Sequence, residues 1–78
     1  MKTGQIVGEN IRGLRHVKGW SQEKLGTRCK LHYNYIGTVE RGEKSISVDN
    51  LAKIAKALNI PIQNFFEEGF YRSLKSDK

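Results

Sequence analysis

Cysteine and proline are almost absent from this chain of 78 residues, which contains one of each, Cys29 and Pro61. A single cysteine excludes an internal disulfide, and with only two histidines beside it the chain offers no zinc-site spacing. Long apolar runs are missing too, so the sequence predicts neither a signal peptide in MKTGQIVGENIRGLR nor a membrane-spanning helix. We therefore expect a cytoplasmic protein that works away from membranes, without a metal or other cofactor.

Negative charge is also scarce, because 14 Lys and Arg stand against 8 Asp and Glu, giving a formal net charge of +6. The excess lies in residues 1–44, with nine basic and four acidic residues, whereas residues 45–78 have five and four. This imbalance fits a surface for phosphate or another polyanion, and it equally fits a solubilising excess of charge. The length and an apolar fraction of 37% predict one small globular domain over residues 1–78.

Apolar residues recur with helical spacing along the chain, and no segment alternates with the period of two that a half-buried strand requires. Ser21 and Ser47 are good N-caps and predict the starts of two helices. Gly42 and Asn59 can take the left-handed conformation that ends helices, and a fifth helix is expected over residues 61–75. The sequence thus predicts an all-α fold, a compact domain of five short helices.

The second and third predicted helices are joined by a very tight turn within SQEKLGTRC-KLH-YNYIGTVERG. With IRGLR before this pair and SVDNLAKIAKALNIP after it, the chain resembles the helix-turn-helix of Cro/repressor-type DNA-binding proteins. The resemblance covers about residues 7–66, and the ordered set of motifs is far more specific than any one of them. Two positions depart from the family pattern: Gly26 replaces a small alanine, and Lys30 replaces the glycine favoured at the turn.

In this family the second helix of the pair, the recognition helix, lies in the DNA major groove. The resemblance implies that one face of this helix meets the bases; its residues are Tyr33, Asn34, Gly37 and Thr38, with His32 as the helix cap. Asn34 can offer adenine a donor and an acceptor together, and Thr38 can hydrogen-bond a base or touch a thymine methyl. Gly37 would let the helix backbone approach the groove floor.

The resemblance also implies contacts that position the protein on phosphates without reading sequence. The residues expected to make them are Gln22, Arg41, Lys44 and Ser45. Arg15 and Glu40 match a pair that joins the first helix of the family to the end of the recognition helix. We interpret these two residues as a structural salt bridge, so that Glu40 is not a catalytic acid.

Apolar residues near the C-terminus exceed what the core of one small domain is expected to cover. The resemblance implies a homodimer on a palindromic operator, since one helix-turn-helix reads only a few base pairs. We expect the dimer interface in the C-terminal segment, at Ile62, Phe65, Phe66 and Phe70. One of the two adjacent phenylalanines is expected to fold back into the core instead.

Chemistry points away from an enzyme, because the sequence offers no nucleophile with a base at recognisable spacing and no glycine-rich phosphate loop. The resemblance implies a transcriptional regulator that binds double-stranded DNA, similar to the controller proteins of restriction–modification systems, with RNA polymerase as a further candidate partner. The alternative is an antitoxin that binds a toxin and represses its own operon. Co-purification with a second small protein would favour the antitoxin.

Overall fold

A computed structural model of the chain describes residues 2–74. These residues form five α-helices and one 3-10 helix, and no strand occurs among them, which confirms the all-α prediction. The helices are α1 (Thr3–Val17), α2 (Gln22–Cys29), α3 (Tyr33–Glu40), α4 (Val48–Leu58), the 3-10 helix (Ile62–Phe66) and α5 (Phe70–Ser73). The pair α2–α3 is the predicted helix-turn-helix.

The helix ends follow from local chemistry. Ser21 Oγ accepts the Lys24 backbone N–H at 3.0 Å and so caps α2, and Ser47 caps α4 in the same way. Lys30 ends α2 in the left-handed conformation, with φ 64° and ψ 40°, which costs a non-glycine residue about 1–2 kcal/mol. This conformation makes the tight turn that sets α3 against α2.

The core is formed by buried side chains from α1 to α4 and from the 3-10 helix. Within each of the four α-helices that contribute to it, the apolar residues recur at helical spacing, as the sequence indicates. The buried apolar residues are Val7, Ile11, Leu14, Leu25, Cys29, Ile36, Val39, Leu51, Ile54, Ala55, Leu58 and Phe65. Phe65 has no exposed surface, and among the fully buried side chains it is the largest.

The C-terminal segment differs from the single helix predicted over residues 61–75. A 3-10 helix ends at Phe66, the chain then turns through Gly69 at φ 74°, and α5 follows; position 75 lies outside the described residues. Asn10 of α1 is completely buried at this break. Its Nδ2 donates to the carbonyl oxygens of Phe65 at 2.9 Å and Glu67 at 2.8 Å. Its Oδ1 accepts the Tyr71 N–H at 3.1 Å.

Those three bonds replace helical hydrogen bonds that the break removes, because buried backbone polar groups require partners. Asn10 therefore ties the C-terminal segment to α1. This role of Asn10 is not predictable from the sequence, since a single asparagine within a helical pattern is ordinarily solvated and its partners lie 55 to 61 residues away.

Candidate nucleic-acid interface

The recognition helix α3 is fixed on its inner side by the core. Ile36 is 0% and Val39 is 1% exposed, and α3 packs against both α1 and α2. The approach to α1 is so close at Gly8 that a Cβ there would lie 2.3 Å from the Val39 carbonyl oxygen. Gly8 is thus required by backbone contact, and it lets α1 hold α3 in one orientation.

The first turn of α3 is exposed to solvent. Tyr33 is 44% exposed and Asn34 is exposed, as a role in reading bases requires. The N-cap is His32, which is the cap expected from the sequence: its Nδ1 accepts the Asn34 backbone N–H at 3.0 Å. The imidazole also stacks on the Tyr33 ring, with centroids 4.7 Å apart and an angle of 22° between the planes.

Gly37 corrects one expectation. It is buried, because two side chains cover it: a Cβ at this position would lie 3.2 Å from Arg41 Nη1 and 3.3 Å from Gln22 Oε1. The close approach of the helix backbone to the groove floor that is expected at Gly37 is therefore blocked in the free protein. Thr38 is half-buried and its Oγ1 donates to the Tyr35 carbonyl oxygen at 2.8 Å, so its hydroxyl is already engaged within the helix.

The structure contains the expected ion pair between α1 and α3. Arg15 Nε lies 2.7 Å from Glu40 Oε2, and their side chains are 8% and 2% exposed. A second bond joins Arg15 Nη2 to Glu40 Oε1 at 3.0 Å, and Arg15 Nη1 donates to the Trp20 carbonyl oxygen at 2.7 Å. This bidentate geometry is the strong form of an Arg–carboxylate pair.

Gln22 is a third member of this network, which the sequence analysis did not foresee. Its Nε2 donates to Glu40 Oε1 at 3.0 Å. Gln22 is also the first residue of α2, where backbone N–H groups have no partner within the helix. The residue expected to contact phosphate is therefore also connected to the buried pair that orients α3.

The loop after α3 carries the remaining candidate phosphate contacts. Lys44 and Ser45 are exposed, as expected. Arg41 is instead bonded to Glu43, with Nε 3.0 Å from Oε2 and both side chains 57% exposed. The hydrogen bond between them raises the pKa of Arg41 and lowers the pKa of Glu43, so both stay charged at neutral pH. The bond to Glu43 uses Nε, so the Nη donors of Arg41 are not engaged by this carboxylate.

The four residues expected at a dimer interface differ in exposure. Phe65 is 0% exposed, so the prediction that it lies at an interface is wrong, and it is the phenylalanine that folds back into the core. Phe66 is 49% exposed, whereas Ile62 and Phe70 are half-buried. Val48 at the start of α4 is 73% exposed and adds a further apolar side chain to the surface.

Residues 2–74 give little support for a metal site, a reactive thiol or a membrane-spanning helix. Within them no three His, Cys, Asp or Glu residues are grouped as metal ligands would be. Burial raises the pKa of the Cys29 thiol, which keeps it protonated at neutral pH. The helices of the same residues are all too short or too polar to span a bilayer.

Comparison with known proteins gives concordant matches. A sequence model described as helix-turn-helix matches residues 11–65. Control protein C.BamHI of Bacillus amyloliquefaciens is 45% identical over 56 residues, which are 70% of this chain and 69% of that protein. Control protein C.SmaI of Serratia marcescens is 40% identical over 62 residues, which are 80% and 74% of the two chains. The crystal structure of the restriction-modification controller protein C.AhdI from Aeromonas hydrophila superposes with a TM-score of 0.78 at 40% identity, covering 81% of this chain and 96% of that one.

Proposed function

Because this chain belongs to the helix-turn-helix family, we propose that it is a sequence-specific DNA-binding transcriptional regulator that acts as a restriction–modification controller protein. The observation that carries the proposal is the first turn of α3, where Tyr33 and Asn34 are exposed on a helix whose other side is fixed in the core. The names of the similar control proteins support the controller role and do not favour the antitoxin alternative.

Base reading is assigned to the exposed first turn of α3 and to Thr38 in the next turn. Asn34 offers both a donor and an acceptor, the combination that suits the N6 and N7 of adenine. Tyr33 can bond a phosphate or pack on a thymine methyl. Thr38 contributes chiefly its methyl group, since its hydroxyl is bonded to the Tyr35 carbonyl oxygen. In this proposal α3 lies in the major groove, with its N-terminal residues nearest the base edges.

Phosphates are held on both sides of that groove. The N-terminus of α2 presents backbone N–H groups and the second Nε2 hydrogen of Gln22, both suited to an oxyanion. Lys44 and Ser45 follow α3 and contact the phosphates of the opposite side. Arg41 joins them through its Nη donors, since its bond to Glu43 uses Nε.

The working form is a homodimer that presents two recognition helices to a palindromic operator in the cytoplasm. Its interface includes Phe66, Ile62 and Phe70, of which Phe66 is the most exposed, and Val48 extends the apolar surface. A two-fold axis needs one self-complementary patch of this kind. Regulation then follows from occupancy, since a bound dimer can recruit RNA polymerase from one site or block it from another.

Asn34→Ala tests the assignment of base reading. We expect it to weaken binding to the preferred site by about 1–3 kcal/mol and to leave non-specific binding nearly intact, because the lost contacts are to base edges. Both affinities are measured at one salt concentration on the preferred site and on random duplex. Equal loss on both duplexes would mean that Asn34 positions the protein and does not read sequence.

Lys44→Ala tests the assignment of phosphate binding. We expect weaker binding to all sequences and a slope of log K against log salt reduced by about 1, because one phosphate contact disappears. Lys53→Ala is the matched control, since Lys53 is an exposed lysine that lies on α4 beside Arg28 and Lys56 instead of in the loop after α3. Arg41→Ala should change the slope less than Lys44→Ala, because Arg41 is already paired with Glu43. The same slope for Lys44→Ala and wild type would make Lys44 ordinary solvated charge.

A further inference from the structure

His32 makes two separate contacts to the part of α3 that the proposed function uses. Its Nδ1 accepts the Asn34 backbone N–H at 3.0 Å, and its ring stacks on Tyr33 at 4.7 Å between centroids. The backbone of His32 is extended, with φ −65° and ψ 140°, as in a normal N-cap residue. One side chain thus contacts two of the three residues assigned to base reading.

We propose that His32 is a positioning residue whose neutral imidazole prepares Tyr33 and Asn34 for DNA, so that sequence-specific affinity falls on acidification. This inference rests on the proposed DNA-binding function. It goes beyond that function, because it couples DNA reading to the proton occupancy of one side chain.

The physical basis is the direction of the cap hydrogen bond. Nδ1 acts as acceptor, so the neutral ring carries its proton on Nε2. Protonation adds a hydrogen to Nδ1, which then cannot accept the Asn34 N–H. It also places a positive charge at the N-terminus of a helix, where the macrodipole is positive as well. Stacking of a cationic ring on Tyr33 can persist. The cap is therefore the contact that protonation removes.

Two charged side chains share a surface depression with this imidazole. The depression that contains His32 and Tyr33 is also lined by Glu23 of α2 and by Lys30 of the turn, which carry opposite charges. No ion pair joins His32 to an acidic group in residues 2–74. His16 is the other histidine of the chain and lies exposed on α1, so it provides a matched control.

The direction in which DNA affinity changes with pH distinguishes a neutral cap from a phosphate contact at His32. If His32 served mainly as a phosphate contact, protonation would strengthen binding, because it adds a positive charge near the backbone. If His32 serves as a neutral cap, protonation weakens binding. Acidification ordinarily strengthens DNA binding, and only the capping role predicts weaker binding at low pH.

The experiment measures affinity for the preferred site at constant ionic strength near pH 8 and near pH 5.5, an interval in which imidazole side chains commonly change charge. Wild type and His16→Asn should weaken by about fivefold on acidification, the equivalent of one helix cap. His32→Asn should bind with the same affinity near both pH values, because asparagine can cap in either condition and the variant loses only the stacking on Tyr33. His32→Ala should be weak at both.

Stronger wild-type binding at the lower pH, or a His32→Asn variant that follows the wild-type profile, would overturn the proposal. A second measurement needs no DNA: the Asn34 amide of the free protein should exchange with solvent faster in His32→Ala than in His32→Asn or wild type. Equal exchange in all three also overturns the proposal. If no form of the protein prefers one DNA sequence while the Asn34 amide behaves as expected, the failure lies in the proposed function and the cap is retained.

Discussion

Glu40→Ala is expected to lower the free energy of unfolding by about 3–5 kcal/mol, because it leaves Arg15 buried without its carboxylate. The Arg15 side chain is 8% exposed and would keep only the Trp20 carbonyl oxygen as a partner. A small domain is stable by roughly 5–15 kcal/mol, so the loss is a large part of the total. Chemical denaturation monitored by helical circular dichroism measures it.

Gln22→Ala provides the matched control for Glu40→Ala. It removes one hydrogen bond to the same carboxylate but leaves the ion pair in place, so we expect a loss of about 0.5–1.5 kcal/mol. The interpretation of Glu40 as structural fails if Glu40→Ala unfolds at the wild-type denaturant concentration and yet no longer binds DNA.

Phe65→Ala is expected to cost about 3–5 kcal/mol of stability, since it empties a fully buried aromatic site. The loss should be independent of protein concentration, because the cavity lies within one chain. Phe66→Ala is the neighbouring control: its side chain is 49% exposed, so we expect a stable fold with weakened dimerisation. Denaturation at several concentrations and sedimentation equilibrium separate the two effects. A Phe65→Ala variant that folds as stably as wild type would contradict the assigned core.

Several features could be predicted because their signals are local in sequence. Ser21 and Ser47 mark helix starts through bonds to residues three positions away, and Gly42 and Asn59 mark helix ends at positive φ. The Arg15–Glu40 pair could be expected only through the family resemblance, since its members are 25 residues apart.

The features that were missed depend on contacts between distant segments. The break after Phe66 is made possible by Asn10, whose partners belong to the other end of the chain. Gly37 is covered because Gln22 of α2 and Arg41 reach over it, which helical periodicity does not reveal. Sequence periodicity predicts which face of each helix is buried. Which side chains of neighbouring elements cover the opposite face depends on how the helices pack together.

Selection of bound duplexes from random DNA tests the central claim, that α3 reads base sequence from a two-fold dimer. The account predicts enrichment of one palindrome with half-sites about one helical turn apart, roughly 34 Å. The selected duplex should bind at least about a thousandfold tighter than random DNA at the same salt concentration. No enriched sequence, or equal affinity for selected and random duplexes, would contradict the account.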